Sequence, residues 1–137
     1  MERALIVSSN NEVTELAELL LRIEGCGRTA SAASGSEARR LVTNDTEPEL
    51  VIINTPLPDE FGQELAEMIA DTTSAGIILI CGSDVADDIA DRVSDSGVNV
   101  ITRLGEFQVL HKSGLCAVYG THFLNAAENI RIFFFYA

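Results

Sequence analysis

Residues 51–62 read VIINTPLPDEFG, and the fold turns on how that stretch is read. Val51, Ile52 and Ile53, with Leu50 ahead of them, form an apolar run that is short and rich in β-branched side chains. A run of this kind, closed by turn-forming residues, reads as a strand buried on both faces. Asn54 ends it with one polar side chain, Pro58 follows four positions later and Gly62 eight positions later, so strand gives way to turn and then to helix. A strand with no solvent face needs helices on both sides.

The flanking sequence supplies them. ALIV (4–7) reads as a first strand, and Ser9 with Glu12 forms a capping signature ahead of Val13, Leu16, Leu20 and Ile23, which recur at helical spacing over 11–24. Arg28 to Ala32 reads as a second strand, and Ser34 with Glu37 repeats the capping signature before a second helix carrying Ala38, Leu41 and Val42. After the 50–53 strand, Phe61 to Ala70 reads as a third helix and IILIC (77–81) as a fourth strand. Asp84 to Ser94 reads as a fourth helix, Gly97 stands where a C-terminal cap belongs, and VNVIT (98–102) forms a fifth strand. The pattern predicts an α/β protein: a flavodoxin-like, doubly wound (βα)5 fold with a five-stranded parallel sheet in a three-layer sandwich.

The chain changes character near Gly105, which marks a boundary between residues 1–104 and a tail of 105–137. The first part holds one aromatic, Phe61, and all of the net charge of -12, whereas the tail is neutral and holds both histidines, the single lysine and the other aromatics. It ends in IFFFY, a β-prone run that is sticky when exposed. This atypical C-terminal segment stands in place of helix 5, either as a divergent helix or as a frame-shifted end. If it leaves the fifth strand uncovered, self-association into a homodimer is expected.

Composition excludes several classes of function. With 9 basic against 21 acidic residues, the surface repels phosphate backbones, so no direct nucleic-acid contact is expected. Three cysteines, Cys26, Cys81 and Cys116, without C-x-x-C spacing argue against a disulfide framework or zinc knuckle. No signal-peptide pattern and no apolar run of about 18 residues is present, so a cytoplasmic location away from any membrane is expected. Neither a G-x-G-x-x-G nor a P-loop pattern occurs, and nothing points to an enzyme.

In open α/β sheets functional groups gather beyond the carboxyl ends of the strands. Those ends carry Ser8 and Ser9, then Asn54, then Cys81 with Gly82 and Ser83, then Arg103. Over residues 3–104 this pattern resembles the receiver (CheY-like) domain of two-component response regulators, the phosphorelay modules. The resemblance implies an acidic, magnesium-binding pair at Ser8 and Ser9, a phosphoacceptor position at Asn54, a hydroxyl switch position at Cys81 with Ser83 as substitute, and a lysine position at Arg103. Pro58 and Gly62 fix the acceptor register. More narrowly, IVSSN, ASGSEARRL, VIINTPLPDEFG and TSAGIILI are similar to the receivers of bacterial antiterminators that end in an RNA-binding ANTAR domain. That resemblance implies an output module with no counterpart here.

Chemistry decides how the departures are read. An amide has neither the charge nor the nucleophilicity of a carboxylate, so Asn54 cannot form an acyl phosphate. Two serine hydroxyls supply no negative charge, so the Mg2+ site is expected to be lost and no cofactor is expected. The reading that follows is a degenerate receiver, a pseudo-receiver acting through protein partners. Two alternatives stand beside it: phosphorylation at a non-standard acid such as Asp59, and a non-functional fragment of an ANTAR-type regulator. The plainer assignments are a helix cap and its neighbour for Ser8 and Ser9, a structural amide for Asn54, a buried thiol for Cys81, and solvated carboxylates for Asp59, Glu60 and the DVADDIAD run.

Overall fold

The computed structural model describes residues 2–23, 25–44 and 47–103, with the backbone of 121–122 and 131–132. The first two βα units are β1 (Arg3–Val7), α1 (Asn11–Ile23), β2 (Arg28–Ala32) and α2 (Gly35–Asn44). They are followed by β3 (Leu50–Asn54), α3 (Gln63–Thr72), β4 (Gly76–Gly82), α4 (Ala86–Arg92) and β5 (Val98–Arg103). The five strands form one parallel sheet in the order β2-β1-β3-β4-β5. This is the flavodoxin-like arrangement expected from the alternation of short apolar runs with amphipathic stretches. Two further strands, β6 (Thr121–His122) and β7 (Arg131–Ile132), pair antiparallel. The rest of the tail, including the expected helix 5 or frame-shifted end, lies outside the described residues.

All five residues of β3 are buried, which places it in the middle of the sheet. Its alternate side chains feed two apolar layers. Leu50 and Ile52 join Ala4, Ile6, Ile78 and Ile80 beneath α1, while Val51 and Ile53 join Leu5, Val7 and Leu79 beneath α2, α3 and α4. Fully burying an Ile or Val side chain stabilises by about 1.5–3 kcal/mol, so these two layers dominate the favourable side of folding.

Helix ends depart from the simplest sequence reading, each for a physical reason. The cap of α1 is Asn10, whose Oδ1 accepts from the backbone N–H of Glu12 at 2.9 Å and of Val13 at 3.3 Å. Ser9, the expected cap, is exposed. The buried stripe of α1 is Val13, Ala17, Leu20 and Leu21; Leu16 is half-buried and Ile23 is 64% exposed, so the stripe is rotated from the expected one. The helix closes on Gly25 at φ 90°, with Cys26 N–H donating to Leu21 O and Gly25 N–H to Arg22 O, the two bonds of a Schellman motif. At α2 half of the expected pairing forms: Ser34 Oγ accepts from Glu37 N–H, while Glu37 Oε2 accepts from Ala33 N–H, one residue before the cap.

The third helix begins at Gln63 rather than Phe61, because its cap Gly62 has φ 124°, outside helical space. Phe61 is left 39% exposed. The fourth helix is shorter than the expected 84–94, and Gly97, at φ 80°, belongs to the turn that leads into β5 rather than to the helix end. None of the helices among the described residues is long and apolar enough to cross a membrane.

The Asn10 cap makes a measurable contribution to stability. Asn10→Ala is expected to cost about 1 kcal/mol in urea unfolding, and Ser9→Ala less than about 0.5 kcal/mol. Equal losses in the two variants would return the cap to Ser9.

Candidate functional site

Strand order reverses between β1 and β3, because β2 lies on one side of β1 and the chain crosses to the other side to form β3. The mouth of the sheet at that reversal is where an open α/β fold gathers chemistry. Ser8 continues the line of β1, its N–H donating to Ala32 O at 2.9 Å. Its hydroxyl is the hub of the mouth. Ser8 Oγ accepts from Asn10 N–H at 3.0 Å and from Asn54 Nδ2 at 3.3 Å, and donates to Asn10 O at 3.3 Å. Ser8 is 4% exposed and Asn54 8% exposed, so this is a buried polar network. Beside it Thr55 donates twice to Ile80 O, from its N–H at 3.0 Å and its Oγ1 at 2.8 Å, tying the end of β3 to β4.

Of the residues singled out from sequence, the structure brings Ser8 and Asn54 together and leaves Ser9 exposed to solvent. Cys81 is fully buried in the apolar layer that also holds Ile89 and Val93. Ser83 is exposed. Arg103 pairs with Gly82 through the β4–β5 ladder, and its side chain lies outside the described residues. Pro58 is exposed in the loop after β3. At Gly62 a side chain would meet Thr55 Cγ2 at 3.1 Å and Ile53 Cγ2 at 3.2 Å, on a backbone that L-residues rarely adopt. Asn10 and Thr55 were not foreseen as part of the site. Asn immediately before a helical run was the available signal for the first.

The family model for the response regulator receiver domain matches residues 4–112. The chain belongs to that family. Solved structures agree in fold. A CheY-like receiver domain protein from Methanospirillum hungatei is 22% identical, with a TM-score of 0.65 over 74% of this chain and 81% of its own. A non-phosphorylated HemR receiver domain from Leptospira biflexa is 25% identical, with a TM-score of 0.63 over 74% of this chain and 82% of its own. A receiver domain protein from Clostridium thermocellum is 21% identical, with a TM-score of 0.64 over 74% and 82%. No curated protein matches the chain. Membership places the chain among the signalling modules of two-component systems, a class that is generally non-enzymatic.

Magnesium takes oxygen ligands in near-octahedral geometry and draws on carboxylates for charge. The side chains at the ends of β1 and β3 are a hydroxyl and an amide, and that hydroxyl already accepts two N–H donors. Among the described residues no three His, Cys, Asp or Glu side chains converge. This donor set does not fit the ion.

The nearby loop carboxylates are committed elsewhere. Asp59 accepts at Oδ1 from Gly35 N–H, 2.8 Å, and at Oδ2 from Ser36 N–H, 2.9 Å, which seats it on the N-terminus of α2. Glu60 pairs with the Arg39 guanidinium, and Leu57 N–H donates to Glu60 O at 2.9 Å to close the turn. The β3–α3 loop is therefore tied to α2. These are not simply solvated carboxylates, as the sequence suggested. The Gly35 N–H, then the Ser36 N–H, hold the Asp59 carboxyl below the usual carboxylate range.

A folded-state pKa below the unfolded one contributes stability that is present above the unfolded value, about 4, and is lost as pH falls through the folded value. Acid unfolding of Asp59→Asn is accordingly expected to show a lower stability at neutral pH and a shallower loss below about pH 4 than the native chain. Superimposable acid-unfolding curves would show that the loop–helix tie contributes nothing.

Proposed function

We propose that this chain is a receiver that signals through protein contacts without aspartyl phosphorylation. The observation that carries the reading is the hydrogen bond from Asn54 Nδ2 to Ser8 Oγ, a neutral pair at the two positions where the family resemblance puts the acceptor and an acidic residue. An amide nitrogen is a poor nucleophile and its donor is engaged by a hydroxyl, so the acyl phosphate chemistry of the family has no starting group. With no magnesium ligand set, the phosphoryl oxygens would also lack the charge that phosphoryl transfer needs.

The competing acceptor, Asp59, is supported less well. Both of its oxygens accept backbone N–H bonds from α2, which stabilise the anion and lower its nucleophilicity. Its place five residues beyond Asn54 also puts it past the strand end.

A module of this kind presents one conformation to its partners, held by Ser8, Asn10 and Asn54, rather than one gated by phosphate. We further propose kinship with the receivers of ANTAR-type antiterminators, supported by the four quoted segments.

Incubation of the 137-residue chain with acetyl phosphate and magnesium, read by intact-mass spectrometry, tests the proposal directly. The native chain is expected to gain no phosphoryl group, and so is Asn54→Asp alone, because the acidic pair is still absent. The triple variant Ser8→Asp, Ser9→Asp, Asn54→Asp is expected to gain one. A phosphoryl group on the native chain, at Asp59 or elsewhere, overturns the reading; one on the single variant overturns the account of the metal site.

A further inference from the structure

At the opposite end of the sheet, Arg3 and Arg28 are direct neighbours in the parallel β1–β2 register. Strand alternation puts both on the face that carries Leu5 and Ala30, the side covered by α2. Like charges opposite each other destabilise a sheet, and this chain has 21 acids with which to neutralise them. It does not do so. Among the described residues the one ion pair is Arg39 with Glu60, and neither the Arg3 nor the Arg28 side chain has a hydrogen-bond or ion-pair partner there. Arg3 Nη1 is buried with no acceptor. Two described acids of this end have other contacts: Glu49 Oε1 accepts from Glu2 N–H at 2.9 Å, and the Glu2 carboxylate lies against Gly27.

These two arginines line a groove of about 240 Å³. It exists because β2 is built from small residues, RTASA, which leave space beneath the half-buried Leu41 and Val42 of α2. Leu5 and Ala30 lie along its floor. The result is an apolar trough lined at one end by two arginines. Guanidinium matches carboxylate and phosphate oxygens bidentately, and an apolar trough favours a hydrocarbon body.

We propose that this groove binds a small amphiphilic anion, a carboxylate or phosphate head held between Arg3 and Arg28 with a short apolar body over Leu5, Ala30, Leu41 and Val42. The acidity of the chain as a whole does not forbid this. Surface charges more than about 10 Å away are largely screened at physiological salt, whereas the two arginines act at contact distance. The size of the groove excludes extended ligands, and the net charge of -12 disfavours polyanions. An unpaired cation pair costs stability in the absence of ligand, and the ligand would remove that cost.

The test follows amide shifts of Leu5, Ala30, Leu41 and Val42 by NMR as the full chain is titrated with hexanoate, hexyl phosphate, hexanol and inorganic phosphate. Hexanoate, hexyl phosphate or both are expected to give saturable shifts with Kd of about 0.1–1 mM, whichever binds more tightly naming the head group. Hexanol and inorganic phosphate are expected to bind at least about tenfold more weakly. Arg28→Gln is expected to weaken binding about tenfold while leaving the ligand-free melting temperature unchanged or higher, since it relieves the like-charge pair. Ala30→Leu, which fills the trough without touching charge, is expected to abolish the shifts. The proposal is overturned if neither amphiphile shifts these residues by about 10 mM, or if hexanol or inorganic phosphate binds as tightly as the amphiphiles. Unaltered binding in either variant overturns it as well.

Discussion

A strand with no polar side chain before its last residue has to be buried on both faces, and the rest of the molecule follows from that constraint on β3. Leu50 to Ile53 supply one layer on each side, so the sheet must be parallel, covered on both faces, and entered through βα crossovers. The same constraint determines the environment of Asn54. It is the first polar group of the strand, it remains buried, and it stands at the strand-order reversal, where a buried polar group must find a partner. Ser8 provides it.

Neutrality at that mouth has an energetic side. Two carboxylates about 4 Å apart at an effective dielectric of 20 repel by about 4 kcal/mol, so a receiver built around an acidic cluster carries strain that a bound cation relieves. A hydroxyl–amide pair carries none. Ser8 uses both its acceptor capacity and its proton locally, and Thr55 ties β3 to β4 by two bonds to one carbonyl. The mouth is held by neutral hydrogen bonds among these side chains and the neighbouring backbone.

How far this was legible in sequence depended on whether the deciding signal was local. The runs 4–7, 28–32, 50–53, 77–81 and 98–102 each lie within an observed strand, because period and β-branching are local properties of a few residues. Ser34 caps α2 as the spacing suggested, with the return bond of Glu37 made one residue earlier, at Ala33. Ser9 does not cap α1, since Asn10 stands one residue nearer the first turn and an Asn side chain caps at least as well as Ser. Phe61 was drawn into α3 by its apolarity, whereas the backbone of Gly62 decides where that helix starts. The tie between Asp59 and α2 spans 24 residues in sequence, and the Arg3–Arg28 neighbours exist only through strand register. No local pattern encodes such pairings.

The arginines bring these strands together. Basic residues are scarce in the acidic receiver part of the chain, so where each one is placed carries information. Arg39 reaches Glu60 and reinforces the loop that Asp59 caps. The pair is bidentate but partly exposed, so it contributes at most about 1 kcal/mol, and its effect is to orient the loop more than to stabilise the fold. Arg3 and Arg28 do the reverse: among the described residues they stand together without a paired carboxylate, in a chain that has 21 acids. Stability alone favours dispersing or pairing such charges. A cationic pair left unneutralised beside an apolar trough, at the end of the sheet remote from the neutral mouth, is placed as a recognition feature would be.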